Sequence, residues 1–185
     1  MKKVAPQQFI ESYKKNTSLI KDNTSRNGVS YSIKYIPKEL RIIQLHKKGL
    51  ISLLEAEKQL KEDKEFYDFI LEININSTKN FLQNESDTLS FTERTKYFSF
   101  EFENDINVRI GDHDMININN YIFERNFSLS PKGIILFSIP KKEKENYFTI
   151  VLFDKVYGQE ELNFRFNIKD IKSLPKLKKV KKWKK

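Results

Sequence analysis

Ile134-Ile135-Leu136-Phe137 is apolar at every position and is bounded by Gly133 and Ser138. A strand with one wet face alternates, so this run predicts a central strand over 133–139 covered on both sides. Two layers follow from that. Outward from it, Leu162, Phe164, Phe166 and Ile168 alternate with Asn163, Arg165 and Asn167, which predicts a strand with one buried face over 162–168. The same period appears over 29–35 (Val29, Tyr31, Ile33 and Tyr35 inward) and over 67–75 (Tyr67, Phe69, Leu71, Ile73 and Ile75 inward). Further strands are expected at 121–129 and 147–153. The connections at 141–146 and 155–160 are short and polar, so neighbouring strands should pair antiparallel.

Helical signals precede most of these strands. Phe9, Ile10, Tyr13, Leu19 and Ile20 lie near helical spacing over 7–20, and the polar stretch 21–28 ends that element. Pro37 suits a helix start, and Lys47, Lys48 and Gly49 suit its end. Ser52 and Glu55 form a capping-box pattern, with Ile51 and Ala56 as the staple, predicting a helix over 53–63. Residues 78–95 read as a long loop with a helical turn. Over 96–111 two patterns compete: Phe98, Phe100 and Phe102 alternate, whereas Phe91, Phe98, Phe102 and Ile106 share a helical stripe. The strand reading is taken.

The expected fold is α+β, mainly β: antiparallel, sandwich-like sheet layers with two or three short N-terminal helices. One domain is expected over 1–171, with a helical start (7–63) and a β-rich part (65–171). With 15 Phe and 8 Tyr against 1 Trp, aromatic rings must supply much of the core volume.

The chain has no Cys, which removes thiol catalysis, thiolate metal sites and disulfides together. Its five glycines, at 28, 49, 111, 133 and 158, are too far apart to build a phosphate-cradling loop. No Gly-x-Ser-x-Gly elbow occurs. Glu124, Asp154, Glu160 and Glu161 are expected at solvated strand ends and turns. Glu103, Asp105, Asp112, His113 and Asp114 gather the hard-cation ligands of the chain, with Asp112, His113 and Asp114 the candidates for a metal. Their spacing matches neither an EF-hand nor a zinc motif, and such clusters ordinarily form turns, so no metal is expected. No residue is assigned a catalytic role and no cofactor is expected. Residues 1–9 lack the apolar stretch of a secretory signal, and the apolar run 134–139 is too short to span a bilayer.

The formal charge of +9 is concentrated at one end. Residues 172–185 hold eight lysines and no acid, and removing those from the 34 basic residues leaves 26 against 25 acids. This tail is expected to be disordered. Lys176, Lys178, Lys179, Lys181, Lys182, Lys184 and Lys185, with Trp183 among them, are the candidates for binding a polyanion, either nucleic-acid phosphates or an anionic membrane surface.

Several scattered segments resemble an uncharacterised group of Bacteroidota-type lipoproteins. They are residues 19–28 leading into Tyr31-x-x-Lys34-Tyr35-x-Pro37; Phe123-Glu124-Arg125-Asn126-Phe127 followed by Leu129-x-Pro131; Asp154-x-x-Tyr157-Gly158; Phe164-x-Phe166; and Leu174-Pro175. Proteins of that group begin with a lipoprotein signal and an acylated Cys, neither of which is in this chain, and have no established activity. The resemblance implies a cell-envelope location and supplies no functional residue. The resulting expectation is a non-enzymatic interaction or structural module at the envelope with a protein or glycan partner. The alternative is a cytoplasmic protein that binds nucleic acid through its tail; a hydrolase with an acidic site near 103–114 ranks third.

Overall fold

The computed structural model describes residues 3–62, 65–75, 80–83, 89–111, 115–124, 130–142, 145–180 and 183. A two-residue strand, Lys3–Val4 (β1), leads into helix Pro6–Lys15 (α1), whose Phe9 and Tyr13 lie four apart and are buried together. The helix stops earlier than 20. Asn16 leaves helical geometry at ψ 84°, a single 3₁₀ turn follows at Thr17–Leu19, and Ile20–Thr24 becomes a strand (β2). This strand pairs antiparallel with Ser30–Ile36 (β3) through a turn in which Gly28 takes φ 77°. Its Lys, Asp, Asn and Thr side chains sit at an edge of the sheet, so no apolar period announces it.

Helix Lys38–Lys47 (α2) begins after Pro37, buries Leu40, Ile42 and Ile43, and is followed by Gly49 at φ 71°. Helix Leu53–Lys61 (α3) is capped by Ser52, whose Oγ accepts from the Glu55 amide at 3.1 Å.

The larger sheet has the order β2-β3-β4-β8-β7, with Phe66–Asn74 as β4, Lys132–Pro140 as β8 and Asn119–Glu124 as β7. The second sheet has the order β10-β9-β5-β6, from Glu161–Asn167 (β10), Tyr147–Phe153 (β9), Ile106–Ile110 (β5) and Met115–Asn117 (β6). Every pairing within these two sheets is antiparallel. Their buried faces meet through aromatic rings. Phe69 of β4 lies 5.2 Å from Phe166 of β10 and 5.9 Å from Phe148 of β9, and Tyr67 stacks on Phe148 at 5.9 Å.

The apolar run of β8 is only partly covered on its second face. Ile135, Phe137 and Ile139 are buried, whereas Ile134 and Leu136 are half-exposed, one place from the sheet edge. The strand expected over 96–111 is found only at its end, as β5; residues 96–105 are helical. Ser90 and Glu93 form a reciprocal capping box for Phe91–Lys96 (α4), which continues as a π-helical turn, Tyr97–Glu101, and a 3₁₀ turn, Phe102–Asp105. Phe98 and Phe102 are therefore buried together, while Phe100 between them is 65% exposed. They join Phe81, Phe123 and Tyr157 in a second aromatic cluster. Gly133 makes room for it, since a Cβ there would lie 2.5 Å from the Phe81 ring.

With Ile168–Lys172 (α5) closing the body, five α-helices occur among the described residues, two more than the N-terminal three. Of the described residues 39% are strand and 34% helix, so the fold is α+β with mostly antiparallel sheets and nearly even shares. The described residues of the tail are not free either. Lys176–Leu177 (β11) pairs parallel with β1, Val180 and Trp183 are buried, and the Trp183 indole donates to the Lys178 carbonyl at 3.2 Å.

Candidate functional site

A cleft of about 1250 Å³ opens where the start of α2, the joined ends of β4 and β8, and the C-terminal segment meet. Its floor includes Tyr35 and Tyr67, whose rings touch edge-to-face at 5.8 Å. Tyr35 accepts through its carbonyl from the buried Tyr13 hydroxyl at 2.8 Å, which ties α1 to the cleft floor. Burial pushes the phenols of Tyr13, Tyr35 and Tyr67 above the ordinary range, so all three stay neutral at physiological pH.

Five lysines line the cleft against two acids, Glu39 and Glu65. Lys38 donates to the Leu60 carbonyl at 3.1 Å and the Glu62 carbonyl at 2.5 Å, so it satisfies the end of α3. Lys141 holds its ammonium 5.3 Å from the Tyr67 ring centroid, a cation–π contact. Lys142, Lys172 and Lys176 are exposed around the opening. Among the described tail candidates, only Lys176 contributes to this cleft. Lys178 and Lys179 are exposed beyond it, and Lys181, Lys182, Lys184 and Lys185 lie outside the described residues. Trp183 is 9% exposed and is packed into the protein instead of being offered to a surface.

The metal candidates Asp112, His113 and Asp114 also lie outside the described residues. Asp105 is engaged from two sides, by Lys155 Nζ at 2.5 Å and the Tyr97 hydroxyl at 2.9 Å, and Glu103 points to solvent. Among the described residues no group of three His, Cys, Asp or Glu is placed to hold a metal ion. Glu160 accepts from the Arg26 amide at 2.6 Å, Glu161 accepts from Asn163 at 3.0 Å, and Glu124 is exposed.

Asp154 departs from the solvated turn expected of it, because it is fully buried. Its carboxylate accepts from the Tyr31 hydroxyl at 2.8 Å, the Val156 amide at 2.8 Å and the Tyr157 amide at 3.1 Å. Gly158 completes the arrangement: a Cβ there would run into the Tyr31 hydroxyl. The Asp154-x-x-Tyr157-Gly158 pattern is thus a turn that pins the β9–β10 connection to β3.

Burial raises the Asp154 pKa above its ordinary 3.8, although the Tyr31 and backbone hydrogen bonds oppose the shift. A carboxylate with a raised folded pKa contributes stability that is complete below the unfolded value and is lost as pH rises through the folded value. Wild type should therefore gain stability over Asp154→Asn as pH falls from neutral toward 4, in paired denaturant titrations. A difference that stays flat, or shrinks on acidification, would contradict this environment.

No protein-family model matches the sequence, and no curated protein matches it. The chain is similar in structure to a solved novel protein of unknown function from Burkholderia pseudomallei K96243. The two share 10% identity over 93% of this chain and 94% of that one, with a TM-score of 0.41. That likeness is too low to assign a fold or a role.

Proposed function

We propose that the protein is a non-enzymatic binding module in which the two antiparallel sheets form the layers of a β-sandwich and the cleft takes an acidic segment of a protein or glycan partner. The ring contacts of Phe69 with Phe148 and Phe166 support the layering. The excess of five lysines over two acids around the cleft carries the functional reading. Lysines at the rim of an apolar depression favour a ligand that combines negative charge with carbon surface. The likeness of scattered segments to envelope lipoproteins supports an envelope setting.

Heparin and poly-glutamate are suitable acidic probes for calorimetric titration at low salt. Reversing Lys142 and Lys172 to Glu should weaken binding at least about tenfold, each reversed charge near a polyanion being worth roughly 1 kcal/mol. Reversing Lys14 and Lys58, which lie off the cleft, should change it far less. Equal losses in both pairs would mean that only net charge matters.

A nucleic-acid reading draws on exposed Lys178 and Lys179 beside Lys176. It requires duplex DNA to bind more tightly than the acidic probes and to lose affinity when Lys178 and Lys179 are reversed.

A further inference from the structure

The turn between α2 and α3 ends in an apolar tip. After Gly49 the chain presents Leu50 at 67% exposure, Leu53 at 42% and Leu54 at 80%. Three leucines within five residues on a convex turn form a patch of the kind that marks an interaction site.

The chain leading into that tip carries charge of one sign, up to Glu55 in the first turn of α3. From Gln44 to Leu54 the chain carries no Asp or Glu, and Lys47 and Lys48 are exposed immediately before Gly49. His46 joins this turn to the C-terminal segment. Its Nδ1 lies 3.2 Å from the Ile51 carbonyl oxygen, and its ring centroid lies 5.8 Å from that of Trp183. Trp183 in turn holds the Lys178 carbonyl, and Lys178 and Lys179 are exposed. A second acid-free lysine segment therefore runs beside the first.

We propose that this tip docks the protein on an anionic lipid bilayer. The leucines enter the boundary between headgroups and acyl chains, while Lys47, Lys48, Lys178 and Lys179 meet the lipid phosphates. The pairing of residue types selects this occupant. Nucleic-acid phosphates offer nothing to three projecting leucines, whereas an anionic bilayer takes apolar side chains at its acyl boundary and lysines at its headgroups together. Neither half of the surface would hold alone, since peripheral attachment combines buried apolar area with attraction to charged headgroups.

The test uses the full chain and mixed phosphatidylcholine and phosphatidylglycerol vesicles in a flotation assay. The protein should float with these vesicles and remain largely free with phosphatidylcholine alone. Leu50→Ser with Leu54→Ser should weaken partition about tenfold or more, and Lys47→Gln with Lys48→Gln should do the same. Both double variants change exposed side chains, so their melting temperatures should match wild type. The proposal is overturned if wild type fails to float with anionic vesicles at low salt, or if the leucine variant floats as well as wild type. It is equally overturned if the leucine pair proves to hold two copies together, read as a loss of dimer in light scattering with partition intact.

Discussion

Deleting residues 175–185 should lower the melting temperature by about 6–12 °C, the shift that roughly 3 kcal/mol produces in a chain of this size. The truncation removes buried Val180 and Trp183, and with them the β11 strand that pairs with β1. Loss of a buried Trp alone is worth about 3–5 kcal/mol when fully enclosed, and Trp183 retains 9% exposure, which places the expectation at the lower end. Differential scanning calorimetry of the truncated and full chains reads the effect directly. Trp183→Ala should reproduce most of it, because the indole packs on His46 and bonds to the Lys178 carbonyl. A truncated protein that melts within about 1 °C of the full chain would mean that the tail contributes nothing to the fold.

Phe69→Ala should cost about 3–5 kcal/mol, the range for removing a large ring from a closed core. Phe69 is 1% exposed, and its ring meets Tyr35, Phe137, Phe148 and Phe166. It touches rings from both sheets, so the cavity left by Ala cannot close without moving one sheet toward the other. The control is Phe100→Ala, at a residue of the same type that is 65% exposed and should change stability by no more than about 0.5 kcal/mol. Urea titrations of the two variants suffice. A cost below about 1 kcal/mol for Phe69 would dismiss the account of how the sheets are joined.

Much of the sheet structure was legible because its period is strict. The inward residues of β3, β4 and β10 all proved buried, as alternation predicted. The end of α2 was legible too, from Gly49, which takes φ 71° without strain. What failed did so for identifiable reasons. The polar edge strand β2 has no apolar face to read, since its stability comes from backbone pairing with β3. Phe98, Phe100 and Phe102 alternate by accident of composition; the decisive signal was Ser90-x-x-Glu93, whose capping box starts a helix upstream of them.

The tail was misread because lysine density masked a second pattern. Leu174, Leu177, Val180 and Trp183 recur every third residue, and three of these four are buried. Of the candidate site, its sequence signal amounted to charge alone. Lys38 opens α2 and Lys141 and Lys142 follow the end of β8, about a hundred residues on, and only the fold gathers them with Lys172 and Lys176. Asp154 looked like a solvated turn residue because nothing local reveals that Tyr31, 123 positions away, delivers its hydroxyl there.

The pairing of Lys3 with Lys176 also sets an order of events during folding. Joining residues so distant in sequence carries a chain-closure entropy on the order of 5 kcal/mol if the intervening chain is still random. Once the antiparallel sheets have formed, most of that separation is already spanned and the same contact becomes local in space. The junction should therefore form late in folding and open early in native-state hydrogen exchange, well before the strands around Phe69. Since Pro175, Lys176 and Leu177 are also a wall of the cleft, opening the junction dismantles that wall. A ligand that touches these residues binds the closed form, and by mass action slows exchange at both ends of the chain at once.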